Sequence, residues 1–259
     1  MAEKASGTGA DGGVRSVQRA LELLAHFDDA HVVWTVSELA RATRLPKTTV
    51  VRLVATLEGA GMVWVRPDGQ VVPGAGLLRW ARLGKAAWEL PEAVQQVMRD
   101  VARLCAETVS LYVRQGPVRV CVAQQQGPHT LRHVVTPGDE LPLWGGAASK
   151  VLLTDASPDV LDEVAARSPG GTAFIAELRE QVDDARKAGY AVSHGERETG
   201  SSGVAAPIVD GEGRIIAALA LGGPTGRFTP GQVARFVAVV TASADEISDL
   251  GLARAFPQP

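Results

Sequence analysis

The chain has 259 residues, 46% of them hydrophobic and 21% charged, with a net charge of −3. That is long for one domain, comfortable for two, and ordinary for a globular protein. No apolar run reaches 18 residues and the first residues, MAEKASGTGADGG, lack an apolar signal core, so neither a membrane span nor a secretory leader is expected, and the chain reads as cytoplasmic. Cys105 and Cys121 have no CxxC spacing and are expected as reduced, buried thiols. The charge is uneven. Residues 1–85 hold 11 Lys+Arg against 8 Asp+Glu, a net +3, and the remainder holds 15 against 21, a net −6. A basic first part suits a polyanion and an acidic second part does not.

Residues 1–13 read as a disordered tail. Their GTGADG matches GxGxxG formally, but no strand precedes it and no apolar helix follows, so the dinucleotide reading is rejected. Residues 16–27 put Val17, Ala20, Leu21, Leu24 and Ala25 on one face of a predicted amphipathic helix. Thr35 and Glu38 form a T-x-x-E capping box opening a helix to Thr43, with Leu39 and Ala40 inward. Arg44-Leu45 makes a turn, and Pro46 stands at the start of the next helix, where its missing N–H costs nothing. In that helix Val50, Leu53, Val54 and Leu57 share one face and Lys47, Thr48, Val51 and Arg52 another. Two short helices about a tight turn, the second carrying cations and hydroxyls, read as a helix-turn-helix. After Gly61, MVWVRPDGQVVP reads as a hairpin around Pro67-Asp68-Gly69, a wing with Arg66 at its tip. Residues 14–75 are therefore expected as a winged helix-turn-helix domain.

The next helix, within residues 76–90, carries Leu77, Leu78, Trp80, Ala81, Leu83, Ala87 and Trp88 over more than one face. It needs partners on two sides, and a copy in a second subunit would supply one. Pro91 opens a helix to about Ala106. The second domain, 91–254, shows predicted strands at 108–115, 118–126, 131–135, 190–194, 203–209 and 214–222. Predicted helices lie at 146–154, 157–167 and 173–188, the last ended by Gly189, and a closing helix starts at Thr229-Pro230. Interspersed strands and helices with hairpin neighbours imply an α+β fold, a mostly antiparallel sheet flanked by helices.

SVQRALELL, the T-x-x-E-L-A helix, LPKTTVVRLVATLEGAGMV and GYAVSHGERETGSSGVAAPIVDGEGRIIAALALGGP together resemble the IclR-type family of bacterial transcription regulators, over about residues 14–250. The resemblance implies a winged helix, a linker helix and a GAF-like effector-binding domain. It also implies homodimers, often paired into dimers of dimers, on palindromic double-stranded operators, with repression the commoner sign. A small molecule in the second domain would act on the DNA-binding domains through the linker helix. The chain departs from the family pattern at Ser149-Lys150-Val151-Leu152-Leu153-Thr154, where relatives have G-K-A-x-L-A. Its Thr48 and Val51 stand where Ser and His are frequent.

For DNA, Arg52 and Lys47 are the expected principal contacts, Arg to guanine and Lys to phosphate. Thr48 and Thr49 can donate to phosphate and Val51 can meet a thymine methyl. Arg66 is expected on the backbone or in the minor groove, and Arg15 and Arg19 on phosphates.

For the effector, the loop Pro142-Leu143-Trp144-Gly145-Gly146-Ala147-Ala148-Ser149-Lys150 offers backbone N–H groups at a helix start, a site for a carboxylate. Spacing alone fits a plain glycine-rich helix start equally; the resemblance is what puts the loop in a pocket. It also implies roles there for Leu141, Ser193, Gly203, Ala220 and Gly222, and Trp144 is either a wall or core. Ala220 and Gly222 replace small hydroxyl residues of relatives, so a bulkier, more apolar carboxylate is expected.

Catalytic and metal readings are weaker, and neither cofactor nor metal is expected. Ser149 and Lys150 are adjacent on a helix and diverge. Gly200-Ser201-Ser202-Gly203 is not G-x-S-x-G. Glu196 and Glu198, taken as alternate residues of an extended segment, point apart. His26, His31, His129, His133 and His194 lack ligand spacing, and His129 and His133 fall in the strand-like 131–135 region. The rival classes are an enzyme with an accessory DNA-binding module and a DNA-architectural protein with no effector.

Overall fold

The computed structural model describes residues 14–28, 30–252 and 256. They form two compact units that divide between Ala86 and Ala87. In the first, α1 (Arg15–Leu24), β1 (Trp34–Thr35), α2 (Val36–Ala42), α3 (Lys47–Gly59), β2 (Val63–Val65) and β3 (Gln70–Pro73) precede α4 (Gly76–Ala87). The capping box forms: Glu38 N–H donates to Thr35 Oγ1 at 3.2 Å and Thr35 N–H to Glu38 Oε2 at 2.8 Å. Leu23, Leu39, Val50, Val54, Leu57, Val63 and Val71 form the core. The chain between α2 and α3 turns through Arg44, held at a left-handed φ of 56°.

Two expectations change here. The inward face of α1 is Ala20, Leu23 and Leu24, whereas Val17 and Leu21 are 54% and 60% exposed. Leu23 sits between the two rows, and with α3 beneath it the helix turns that residue inward and leaves the 14-17-21 stripe uncovered. The hairpin also gains a third strand, since Trp34 and Thr35 pair with Val71 and Gln70. Gly74 is required by packing. A Cβ there would lie 2.3 Å from Gly61 O, and Gly76 N–H donates to that same carbonyl at 2.9 Å.

The second unit contains α5 (Glu92–Cys105), β4 (Thr108–Gln115), β5 (Val118–Gln125), β6 (Glu140–Pro142), α6 (Ala147–Leu152), α7 (Pro158–Ala166), α8 (Ile175–Ala188), β7 (Ala191–His194), β8 (Ser201–Val209), β9 (Ile215–Pro224) and α9 (Pro230–Asp249). The strands make one six-stranded antiparallel sheet in the order β6-β5-β4-β9-β8-β7. Strand periodicity sorts its faces. Val109, Leu111, Val204, Ala206, Ile208, Ala217, Leu219 and Leu221 pack with α5 and α9. Tyr112, Cys121, Ala205 and Ala218 turn the other way, toward α6, α7 and α8. That second face is built of small residues. Register sets Ser193, Gly203 and Gly222 in one row and Ala205, Ala220 and Ser110 in the next, and the space they leave becomes the site.

Residues 131–135, expected as a strand, form none. The edge of β5 is already taken: Cys121 N–H donates to Asp139 O at 3.0 Å, Gly138 N–H to Cys121 O at 2.8 Å, and β6 continues the pairing. The 131–135 backbone instead crosses the small-residue face as a strap. Cys105 and Cys121 are buried free thiols, their pKa values pushed up by burial to about 11 and about 12. Among the described residues no helix is long and apolar enough to cross a membrane.

Candidate functional site

In the first unit α3 rests on its Val50, Val54 and Leu57 edge, and this turns Lys47, Thr48, Val51 and Arg52 to solvent together; Thr49 is half-buried. Among the described residues no ion pair engages Lys47 or Arg52, so a cationic, hydroxyl-bearing face stands open. Arg41 and Arg44, at the end of α2 and in the turn, are exposed beside it in sequence. Arg15 is exposed on α1 and Arg19 half-buried. Arg66 is not at the wing tip. It opens the turn, its N–H donating to Gln70 O at 2.7 Å and its Nη1 to Gln70 Oε1 at 2.9 Å, while Pro67, Asp68 and Gly69 form the exposed tip. The side chain is held back because Gln70, directly across the hairpin, offers it an acceptor.

In the second unit a cavity of about 60 Å³ opens on the small-residue face. Of the residues expected there, Gly146, Ala147, Ala148, Ser193, Gly203, Ala220 and Gly222 line it. Leu141, Trp144, Gly145 and Ser149 do not. Leu141 and Trp144 pack against the α6–α8 core, and Ser149 sits behind the wall, its Oγ donating to Gly145 O at 2.9 Å.

The lining mixes these small residues with polar side chains. Ser110, Tyr112, Arg119, His133, Glu196, Arg197, Glu198, Ser201 and Ser202 complete it. Ala220 and Gly222, on which the expectation of an apolar pocket rested, line it beside charged and hydroxyl side chains from other segments. The space Gly222 vacates is filled by the His133 ring, which a Cβ would meet at 3.2 Å. Burial, then the nearby Arg197 and Arg119, lower the His133 pKa to about 4, so the ring is neutral at neutral pH. The strap that carries it is tied down by Arg227, whose Nη2 donates to Leu131 O at 3.0 Å and to the buried Glu107 Oε2 at 2.7 Å.

One N–H of the expected carboxylate seat, that of Gly146, is taken from within. Gly146 N–H donates to Glu196 Oε2 at 2.9 Å, and Lys150 pairs with the other oxygen of that carboxylate. Glu196 reaches there because residues 195–200 are a turn and not an extended segment: Gly195 and Gly200 have φ of 66° and 84°, and Gly195 N–H donates to Ser201 O at 2.7 Å. Both Glu196 and Glu198 face the cavity. Ser149 and Lys150 hold different partners, as their adjacency requires.

Arg119 is the cation of this wall. It is 5% exposed, lies over the Tyr112 ring at 5.1 Å, and donates through Nη1 to Gly145 O at 3.0 Å and to Ser149 Oγ. Burial lowers its pKa to about 10, which still leaves it charged. Arg119 was legible in principle: in Val118-Arg119-Val120-Cys121 the strand parity puts it on the face of the buried Cys121, and an inward charge marks a site. The strap and the 195–200 turn carried no such periodic signal.

His194 Nδ1 lies 2.9 Å from Ser202 Oγ, which in turn lies 2.8 Å from Thr225 Oγ1. Among the described residues no carboxylate orients His194, which is exposed, so the pair lacks the third group of a hydrolytic constellation. Nor, among them, do three or more His, Cys, Asp or Glu cluster to hold a metal.

Comparison with known proteins agrees with both units. Residues 16–67 match the IclR helix-turn-helix domain and residues 86–249 the bacterial transcriptional regulator IclR C-terminal domain. The transcriptional repressor AllR of Klebsiella pneumoniae is 28% identical, over 93% of this chain and 91% of its own. The regulator KipR of Bacillus subtilis is 27% identical, over 83% and 88%. Among solved structures, an IclR-family regulator from Rhodococcus sp. is 48% identical, covers 99% of this chain and 100% of its own, and has a TM-score of 0.65. An IclR homolog from Microbacterium hydrocarbonoxydans, complexed with 4-hydroxybenzoate, is 25% identical over 90% and 98%, with a TM-score of 0.70. These relatives are regulators and not enzymes, and a chain matched to both domain types over most of its length belongs to the IclR family of bacterial transcriptional regulators.

Proposed function

We propose that this regulator is a repressor that binds a palindromic operator as a homo-oligomer and changes its operator affinity when a small metabolite enters the cavity of the second unit. The open Lys47, Thr48, Val51 and Arg52 face carries the reading. It is the only orientation of α3 compatible with burying Val50, Val54 and Leu57, and it presents base-reading and phosphate-binding groups in one strip. Arg15, Arg19, Thr49 and Arg66 are assigned to the backbone around it. A second copy is supported by apolar side chains left uncovered on the first unit: Val14, Val17 and Leu21 of the α1 segment and Leu78 and Trp80 of α4. Two copies imply two half-sites spaced by whole turns of DNA. The cavity, with apolar and polar groups in one lining, supports a small-molecule effector, and the 4-hydroxybenzoate complex of the Microbacterium homolog supports a ligand site in this domain. A coupling of about 1.4 kcal/mol between the two sites suffices for a tenfold change in operator affinity.

The test is fluorescence anisotropy of the full chain on its own upstream intergenic DNA across a salt series. Arg52→Ala should cost ~1–3 kcal/mol and relax specificity, and Lys47→Ala should weaken all sequences alike and lower the salt slope by about 1. Absence of saturable, sequence-selective binding at low salt would overturn the reading.

A further inference from the structure

Helix α2 ends at Ala42, and Thr43 is still helical at φ −78°, its hydroxyl donating to Leu39 O at 2.7 Å. The ring of Pro46 disfavours the helical region for Leu45, whose side chain packs on the core of the unit. The reversal that leads from α2 into α3 therefore falls on Arg44, which takes the left-handed φ of 56°. After a helix C-cap this is the place of glycine, because a Cβ in this conformation crowds the following carbonyl. Here an arginine bears the strain. Its side chain is exposed and, among the described residues, makes no hydrogen bond or ion pair. Nothing within the fold offsets the conformation. One other described non-glycine residue has a positive φ, the uncharged Ala106 after α5 at 54°.

Backbone strain of this kind points to function. In a helix-turn-helix the second helix enters the groove by its N-terminal residues and the first crosses the sugar-phosphate backbone, so the turn between them lies beside the phosphates. Arg41, Arg44 and Lys47 follow one another at intervals of three, all exposed, and no acidic residue stands between Glu38 and Glu58.

We propose that Arg44 is a phosphate contact of the operator complex, and that the strained turn is kept because this contact needs a long cationic side chain there. This rests on the reading of the first unit as the operator-binding unit. A phosphate contact carries charge and no base information, so its loss weakens binding to every sequence alike and shows in the salt dependence. A substitution to glycine removes the contact and relieves the backbone together, so stability and operator affinity move in opposite directions at this residue.

The experiment pairs fluorescence anisotropy of the full chain on its upstream intergenic DNA, across a salt series, with urea unfolding. Arg44→Gly should raise the urea midpoint of the first unit, weaken operator binding about fivefold at low salt, and lower the slope of log K against log salt by about 1 per half-site. Arg44→Gln, which keeps the Cβ and loses the charge, should show the same losses without the rise in midpoint. Arg44→Lys should retain the wild-type slope. Ala106→Gly should raise the midpoint of the second unit and leave operator binding unchanged. A wild-type slope in Arg44→Gly or Arg44→Gln, a midpoint that does not rise in Arg44→Gly, or equal loss of slope in Arg44→Lys or Ala106→Gly overturns the proposal. If Lys47→Ala lowers the slope and Arg44→Gln does not, the Arg44 assignment fails alone. If the wild-type chain shows no selective operator binding, the regulator reading fails with it.

Discussion

Replacing His133 with glutamine should make the second unit less sensitive to acid. The ring is buried beside Arg197 and Arg119, with Glu198 opposing their effect, and its pKa falls from 6.5 to about 4. The folded protein therefore binds fewer protons at this site than the unfolded chain between those two values. Stability from the neutral ring is fully present above pH 6.5 and is lost as pH falls toward 4. Between pH 7.5 and pH 5.0 the loss works out at about 2 kcal/mol, and partial exposure of the ring lowers it toward ~1 kcal/mol. Urea unfolding of the second unit at the two pH values measures it, with the His133 Hε1 resonance titrated in parallel. Glutamine keeps a donor and an acceptor but does not titrate in this range, so the difference between the two pH values should shrink by that amount. An undiminished acid response in the variant, or an Hε1 titration midpoint near 6.5, would refute the argument.

Three further outcomes follow from the packing. Arg227→Met strands Glu107, which is 2% exposed, and should cost ~3–5 kcal/mol in unfolding free energy; because Arg227 also holds Leu131 O, hydrogen exchange in residues 130–135 should quicken by more than the global loss explains. Gly74→Ala forces a Cβ against Gly61 O and should lower the stability of the first unit by ~1–3 kcal/mol; an unchanged melting curve would mean the backbone yields there freely. Thr35→Ala removes the acceptor for Glu38 N–H and should cost ~0.5–2 kcal/mol, read as a lower urea midpoint of the first unit.

Much of the chain was legible in its residues. The capping box, the Pro46 helix start, the Val50-Val54-Leu57 face and the Asp68-Gly69 turn are local signals, each decided within a few residues by backbone sterics, capping or helical period. The strands over 203–209 and 214–222 were likewise readable, and their period of two fits the shared face of Val204, Ile208, Leu219 and Leu221 seen in the structure. The solvent-facing strip of Lys47, Thr48, Val51 and Arg52 then followed as the complement of the buried edge of α3.

What the residues did not disclose was long-range. Residues 131–135 end in the β-branched pair Val134-Val135, which favours a strand, but pairing needs a free edge, and the 138–142 stretch already occupies that of β5. The α1 face was misassigned because two apolar rows compete on one helix, and only packing against α3 selects Leu23 over Val17 and Leu21. Ala220 and Gly222 suggested an apolar hollow, yet His133 comes from 89 positions away in sequence to fill it, and Glu196 crosses 50 residues to take the Gly146 N–H. The amino-acid sequence by itself determined the helices, the turns and the two domain types, because those depend on neighbours along the chain. Only the tertiary structure decided which charged and hydroxyl groups meet in the cavity, because a pocket's charge is the sum of groups that meet only when distant segments are packed together.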